Sequence, residues 1–139
     1  MSLTIRPYRP ADQAQVIALW ENCQLVVPQN DPIADIQTKV AFQPDLFLVA
    51  LTAHGLVGTV MVGYEGHRGW INYLAVSPEH RRRGIGRELM VTAEMKLRQL
   101  GCPKINLQVR RSNAAVIDFY RSLGFREDKV VSLGKRLPK

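Results

Sequence analysis

Apolar and polar residues follow two rhythms along this chain, and the change from one to the other marks its elements. Leu3 to Pro7 reads as a short first strand. From Ala11 to Cys23, residues Val16, Leu19, Trp20 and Cys23 fall at i, i+3, i+4 and i+7, the spacing of one helix face. Asp12 lies in the first turn of that helix, where negative charge is favoured. The stretch Val26 to Pro32 holds two prolines and Asn30-Asp31, which marks a loop. A second helix is expected over Ile33 to Phe42. Asp45 to Thr52 and Leu56 to Tyr64 read as strands joined by a tight turn at Ala53 to Gly55, and Gly66 and Gly69 bracket the next turn. Trp70 to Val76 is again strand-like.

The rhythm then changes. From Gly84 to Leu100, the residues Ile85, Leu89, Ala93, Leu97 and Leu100 form one apolar stripe, with Arg87, Glu94, Lys96 and Arg98 off it. Gly101 is placed to stop that helix at its C′ position. Ile105, Leu107 and Val109 alternate within a strand predicted over Lys104 to Val109. The last helix, Asn113 to Leu123, carries Val116, Phe119, Tyr120 and Leu123 on one face, with Gly124 as its stop. Lys129 to Leu137 is expected to supply a final strand. The order is β-α-α-β-β-β-α-β-α-β. Hairpin-linked strands followed by crossover helices imply an α/β domain on a mixed sheet, antiparallel at first and parallel around the crossover, with helices on both faces.

Composition narrows the class. A chain of 139 residues suits a single domain over 1–139 and can bury a core. The longest apolar run, Leu46 to Leu51, is too short to span a bilayer. The start of the chain carries Arg6, Arg9 and Asp12 and no apolar stretch of the signal-peptide kind. A cytoplasmic protein with no membrane partner is the expectation. Cys23 and Cys102 lack a partner motif and metal spacing, so two reduced structural thiols are expected. Three histidines without ligand spacing predict no metal.

Lys and Arg total 19 against 12 for Asp and Glu, a net charge of +7. Such a balance raises nucleic acid as a partner. Against that, the densest basic cluster is one short loop, the other basic residues are scattered apart from a small group at Lys135, Arg136 and Lys139, and there is no arginine-aromatic groove signature. No nucleic-acid partner is expected.

That loop, Glu79 to Arg87, is the most informative stretch. It follows a strand, opens a helix, and holds two glycines and four arginines. Glycines let backbone N–H groups come close to a ligand, and a helix start leaves several N–H groups without intrahelical partners. Phosphate is the natural ligand there, and arginines add charge and paired donors. The P-loop spacing Gly-x4-Gly-Lys-Ser/Thr is missing. The third glycine of the dinucleotide pattern would stand at position 89, which is Leu89.

What remains, Arg81-x-x-Gly84-x-Gly86, resembles the acyl-CoA pyrophosphate loop of the GNAT superfamily of N-acetyltransferases, whose usual form is Arg/Gln-x-x-Gly-x-Gly/Ala. The element order and the length are similar to those of GNAT domains over nearly the whole chain. Asn30 to Pro32, Gly63 to Gly69 and Ser132 to Leu137 resemble the small YpeA-type acetyltransferase subgroup.

The resemblance implies acetyl-CoA as cosubstrate and a splayed central pair of parallel strands, 70–76 and 104–109. Backbone groups of Leu74, Ala75 and Val76, left unpaired by the splay, would bind the pantetheine arm. Arg81, Arg82, Arg83, Gly84, Ile85, Gly86 and Arg87 would hold the pyrophosphate, with the 3′-phosphate within reach of Arg81, Arg82 or Arg83. Asn113 matches a family position that hydrogen-bonds the cofactor, and equally suits a plain helix N-cap. Tyr120 matches the usual general acid, although its place on the apolar stripe also suits a core tyrosine. A phenol stays protonated at neutral pH and can donate to the departing thiolate.

Many relatives carry a carboxylate base on the strand before the loop, and this strand has none. Glu65, with His67 in the same turn, is the nearest base candidate, or else a turn cap. Glu21 and Asp31 are further candidates to face the acceptor, since the first two helices and their joining loop usually roof that cleft in the family. With no Gly-x-Ser-x-Gly elbow, the expected reaction is direct attack by a primary amine, of a small molecule or a peptide, in a ternary complex. The alternatives are a longer acyl donor or an O-linked acceptor on the same fold, and a non-catalytic acyl-CoA sensor or protein-interaction module. Dimerisation, common in the fold, makes a homodimer possible.

Overall fold

A computed structural model of the chain describes residues 2–138, so Lys139 of the small basic group lies outside the described residues. The chain divides into two compact units, Met1–Gln108 and Val109–Lys139. The first holds β1 (Thr4–Pro7), α1 (Gln13–Asn22), α2 (Pro32–Phe42), β2 (Phe47–Thr52), β3 (Gly55–Tyr64), β4 (Gly69–Val76), α3 (Ile85–Gln99) and β5 (Ile105–Asn106). The second holds α4 (Ala114–Ser122).

The strands form one sheet in the order β1-β2-β3-β4-β5. The first three pairings are antiparallel, and only β4 and β5 run parallel, with Gly69 opposite Ile105 and Trp70 opposite Asn106. The mixed α/β sheet predicted from the rhythm is therefore present. Two strands differ from expectation. The strand predicted over Lys104 to Val109 is only two residues long. The strand predicted over Lys129 to Leu137 does not form, and Val130, Val131, Leu133 and Leu137 are 77–90% exposed. A strand needs a neighbouring edge to pair with, and a run of suitable residues does not supply one.

Side chains on alternate positions of β2 and β3 serve opposite faces of the sheet. Phe47, Val49 and Met61 pack with Val16, Leu19 and Trp20 of α1 and Ile36 of α2. Trp20 is fully buried and stacks on Tyr73 of β4, with ring centroids 3.9 Å apart. On the other face, α3 buries Ile85, Leu89, Met90, Ala93 and Leu97. Gly58 of β3 admits that helix closely. A Cβ there would stand 3.0 Å from Leu89 Cδ1 and 3.2 Å from the Ala75 carbonyl. The start of α3 is thereby pressed against β3 and β4. Fully burying each such aliphatic side chain is worth roughly 1.5–3 kcal/mol.

Local groups close several helix ends. Asp31 caps α2, accepting from the Ala34 N–H at 3.1 Å, and Pro32 follows as its first residue. Asp12 accepts from the Arg9 N–H at 2.8 Å and from both Arg6 Nη atoms, which ties β1 to the start of α1. After α3, the N–H of Gly101 donates to the Arg98 carbonyl and that of Cys102 to the Leu97 carbonyl, both at 3.0 Å. After α4, Gly124 donates to Arg121 at 3.0 Å and Phe125 to Tyr120 at 3.1 Å. Both are Schellman closures around a glycine with positive φ. No helix among the described residues is long and apolar enough to cross a membrane.

Candidate functional site

The strand β4 ends at Val76, where the Ser77 N–H donates to the Val57 carbonyl at 2.8 Å, and Pro78–His80 make a single 3-10 turn. The chain then reverses through Arg82 (φ 64°) and Gly84 (φ 80°, ψ 9°) before α3 begins. Gly84 is the N-cap residue and brings no side chain to the cap. Glu88 makes the first helical bond, to the Gly84 carbonyl at 3.0 Å. A helix start leaves the N–H groups of Ile85, Gly86 and Arg87 without intrahelical acceptors. A Cβ on Gly84 would meet no atom within 4 Å, so the space beside this turn is open. Donors, helix dipole and the arginines of 81–87 all favour an anion at this end of α3.

The parallel partner of β4 ends early. Only Gly69 and Trp70 pair with β5, and the rest of β4 continues beyond it. The end of β4 is not wholly open, however. The Val76 carbonyl accepts from Arg81 Nε at 3.2 Å and from Cys23 Sγ at 3.4 Å, and Arg81 Nη2 also lies 3.7 Å from that sulfur. The expectation that Val76 presents free backbone groups therefore needs correction at its carbonyl. Arg81 clamps the loop to the strand and to the end of α1. Arg83 instead lines a shallow cavity of about 580 Å³ beside Thr52, Ala53 and His54 of the β2–β3 turn. Both thiols are free, as expected, with Cys102 Sγ on the Lys104 carbonyl at 3.3 Å.

Glu65 is engaged in its own turn. Its Oε1 accepts from the His67 N–H at 2.7 Å and from the Arg68 N–H. Those two amides, Arg68 first, hold the carboxyl below its ordinary range. A carboxylate held low is a poorer base, and this one is fully exposed. Of the two roles open to Glu65, capping is the one its geometry displays. Asp31, expected near the acceptor, likewise spends its carboxylate on the start of α2.

In the second unit, Asn113 sits at the N-cap of α4 but its side chain makes no cap hydrogen bond. Tyr120 is 8% exposed, with Phe119 and Phe125 edge-on at 5.2 and 5.5 Å between ring centroids. Burial pushes its phenol up to about 12, so it is a proton donor at neutral pH.

One pair was not anticipated. Tyr73 of β4 donates from its hydroxyl to Asp35 Oδ2 of α2 at 2.6 Å. Tyr73 has φ 50°, and with Leu74 it stands opposite the single residue Val60, since pairing passes from Thr59–Ala75 to Met61–Asn72. That is a β-bulge. Burial first, then Asp35, holds the Tyr73 phenol well above its ordinary range. The two residues are 38 apart, and neither periodicity nor any motif could have joined them.

The strand β4 thus outruns its parallel neighbour and delivers the chain through a glycine turn to a helix start suited to an anion. A sequence model of the Acetyltransferase (GNAT) family matches residues 14–125, across both units. An acetyltransferase of Sodalis glossinidius is 51% identical over 136 residues, 97% of this chain and 96% of that protein. Among solved structures, Ard1 from Thermoplasma volcanium superposes with a TM-score of 0.82 at 26% identity, over 91% of this chain and 84% of that one. Naa20 of Chaetomium thermophilum, in complex with a bisubstrate analogue, does so with a TM-score of 0.70 at 29% identity, over 86% of this chain and 69% of that one. The chain belongs to the GNAT family of acetyltransferases. It is an acyltransferase by class.

Proposed function

We propose that this chain moves the acetyl group of acetyl-CoA to a primary amine, by direct attack in a ternary complex. The observation that carries the reading is the turn at Gly84, a left-handed residue with open space before it at the head of α3. The residues present fit a diphosphate-bearing donor, because the main-chain N–H groups of Ile85, Gly86 and Arg87 converge where negative charge is favoured. Bound there, acetyl-CoA supplies an activated thioester.

In this reading, Arg82, Gly84, Ile85, Gly86 and Arg87 hold the diphosphate. Arg81, already bonded to the Val76 carbonyl, is a positioning residue that fixes the loop to β4. Leu74 and Ala75, beyond the last β4–β5 pair, offer main-chain groups to the peptide-like pantetheine arm, and one N–H there would steady the developing oxyanion. Arg83 and the adjoining cavity suit the 3′-phosphate. On the second unit, the family resemblance assigns Asn113 to the cofactor and Tyr120 to protonation of the leaving sulfur. Overall, the amine nitrogen bonds to the acetyl carbon, the C–S bond breaks, the amine loses a proton to water and the sulfur gains one. The relative crystallised with a bisubstrate analogue supports a ternary route.

Calorimetry with acetyl-CoA, followed by thiol release with a panel of amines and free-amine peptides, tests this. Saturable heat together with amine-dependent thiol release is the expected result. No heat with any coenzyme A thioester on folded protein overturns it. Binding without turnover on any acceptor would favour an acyl-CoA sensor instead.

A further inference from the structure

Three contacts converge on Tyr73. Its carbonyl accepts from Thr59 Oγ1 at 2.9 Å, and its ring stacks on Trp20 at 3.9 Å. Its hydroxyl reaches Asp35 at 2.6 Å. A tyrosine with positive φ is costly, by on the order of 1–3 kcal/mol, and persists where its surroundings over-determine it. Here the bulge, the stack and the hydroxyl bond all serve to hold one carboxylate against β4.

That carboxylate is not paired with the nearest cation of its own helix. Lys39 stands four residues along α2, where it would ordinarily pair with Asp35. Instead its ammonium turns to the Val62 carbonyl and to Gln43 Oε1 at 3.1 Å, and burial holds its pKa down to about 8. No lysine or arginine among the described residues forms a salt bridge with Asp35. A carboxylate has about four acceptor positions, and Tyr73 occupies one of them. In a chain of net charge +7, a half-buried carboxylate without a salt-bridge partner among the described residues is available to a cation from outside.

Its place is also informative. Tyr73 immediately precedes Leu74 and Ala75, so a group bound to Asp35 lies one tyrosine side chain from the backbone that the reading above gives to the thioester arm. We infer that Asp35, set by Tyr73, is the residue that selects the acceptor, by taking a second, non-reacting ammonium group on an acceptor whose other amine, once neutral, attacks the thioester. The inference rests on the proposed acetyl-transfer reading. It supplies an acidic group beside β4 although the strand itself contains none.

The test compares acceptors that carry a second ammonium with neutral isosteres of that group, such as cadaverine against 5-amino-1-pentanol and a lysine peptide with a free N-terminus against its norleucine counterpart, on wild type, Asp35→Asn and Tyr73→Phe. Binding to the CoA-loaded protein is measured by calorimetry, and KM and kcat by thiol release. Asn keeps an acceptor for the Tyr73 hydroxyl and removes only the charge. Asp35→Asn should weaken binding and raise KM for the acceptors with a second ammonium about 10- to 100-fold, with acetyl-CoA affinity unchanged and the preference over the isosteres lost. Tyr73→Phe should move KM the same way by a smaller factor. A purely structural carboxylate would lower all of these together and would not discriminate by charge. The inference falls if wild type does not prefer the acceptor with the second ammonium to its isostere. It also falls if folded Asp35→Asn keeps that preference. Failure of acetyl-CoA itself to bind would instead remove the transfer reading.

Discussion

Trp20 and Thr59, 39 residues apart, share a buried hydrogen bond in which the indole Nε1–H donates to Oγ1 at 2.9 Å. Neither residue is exposed at all. The threonine hydroxyl passes its own proton to the Tyr73 carbonyl, so one side chain satisfies a core indole and a bulged strand together. Thr59→Val preserves the shape and leaves both groups unpaired in the core. Urea unfolding followed by tryptophan fluorescence should show a loss of about 2–4 kcal/mol, because each orphaned group costs about 1–3 kcal/mol. A loss below about 0.5 kcal/mol would mean that neither bond matters to stability.

Gly84→Ala isolates the backbone at the head of α3. The added methyl meets nothing within 4 Å, so its cost is that of φ 80° alone, about 1–2 kcal/mol. Circular dichroism should be unchanged, while acetyl-CoA affinity falls as the turn relaxes and the amides of Ile85 and Gly86 are re-aimed. Full affinity in a folded Gly84→Ala variant would show that the left-handed turn does not shape the donor site.

Asp12 predicts an acid limb. It is 5% exposed and bonded by Arg6 and by the Arg9 N–H, and the Arg6 bond above all holds its carboxyl below the ordinary value. A folded-state value below the unfolded value, about 3.9, means the stabilisation is complete above that pH and is lost as pH falls through the lower folded value. Unfolding free energy should therefore decline below about pH 4. Asp12→Asn should flatten part of that decline and lose about 2–3 kcal/mol at neutral pH. An unaltered acid limb in that variant would assign the decline to other carboxylates.

Tyr120→Phe separates proton donation from packing. The ring contacts with Phe119 and Phe125 survive the change, and only the hydroxyl goes. If the phenol protonates the departing sulfur, turnover should fall on the order of 100-fold while acetyl-CoA affinity stays near normal. Unchanged turnover, with the chemical step shown to be rate-limiting, would leave Tyr120 as a core residue.

Much of this architecture is legible without coordinates. The stripe Ile85, Leu89, Ala93, Leu97 predicts α3 to within a residue or two at each end, and Gly101 and Gly124 stop helices as their places foretell. The loop 79–87 likewise announces a helix start shaped for an anion, because glycine content, charge and position are all local. What these signals share is range: helix periodicity and cap chemistry act within a few residues, so the sequence carries them directly.

Pairing and convergence are different in kind. The alternation at 104–109 and the composition of 129–137 report which residues suit a strand, yet a ladder exists only where the whole chain brings a second edge within about 5 Å. That is why β5 stops at Asn106 and 129–137 forms none. The turn of Lys39 away from Asp35, the clamp of Arg81 on Val76, and the meeting of Asp35 with Tyr73 across 38 residues depend on how α1 and α2 settle on the sheet. Such contacts leave no local trace, because burial of shared apolar area selects the packing and the polar partners are decided only once that packing is in place.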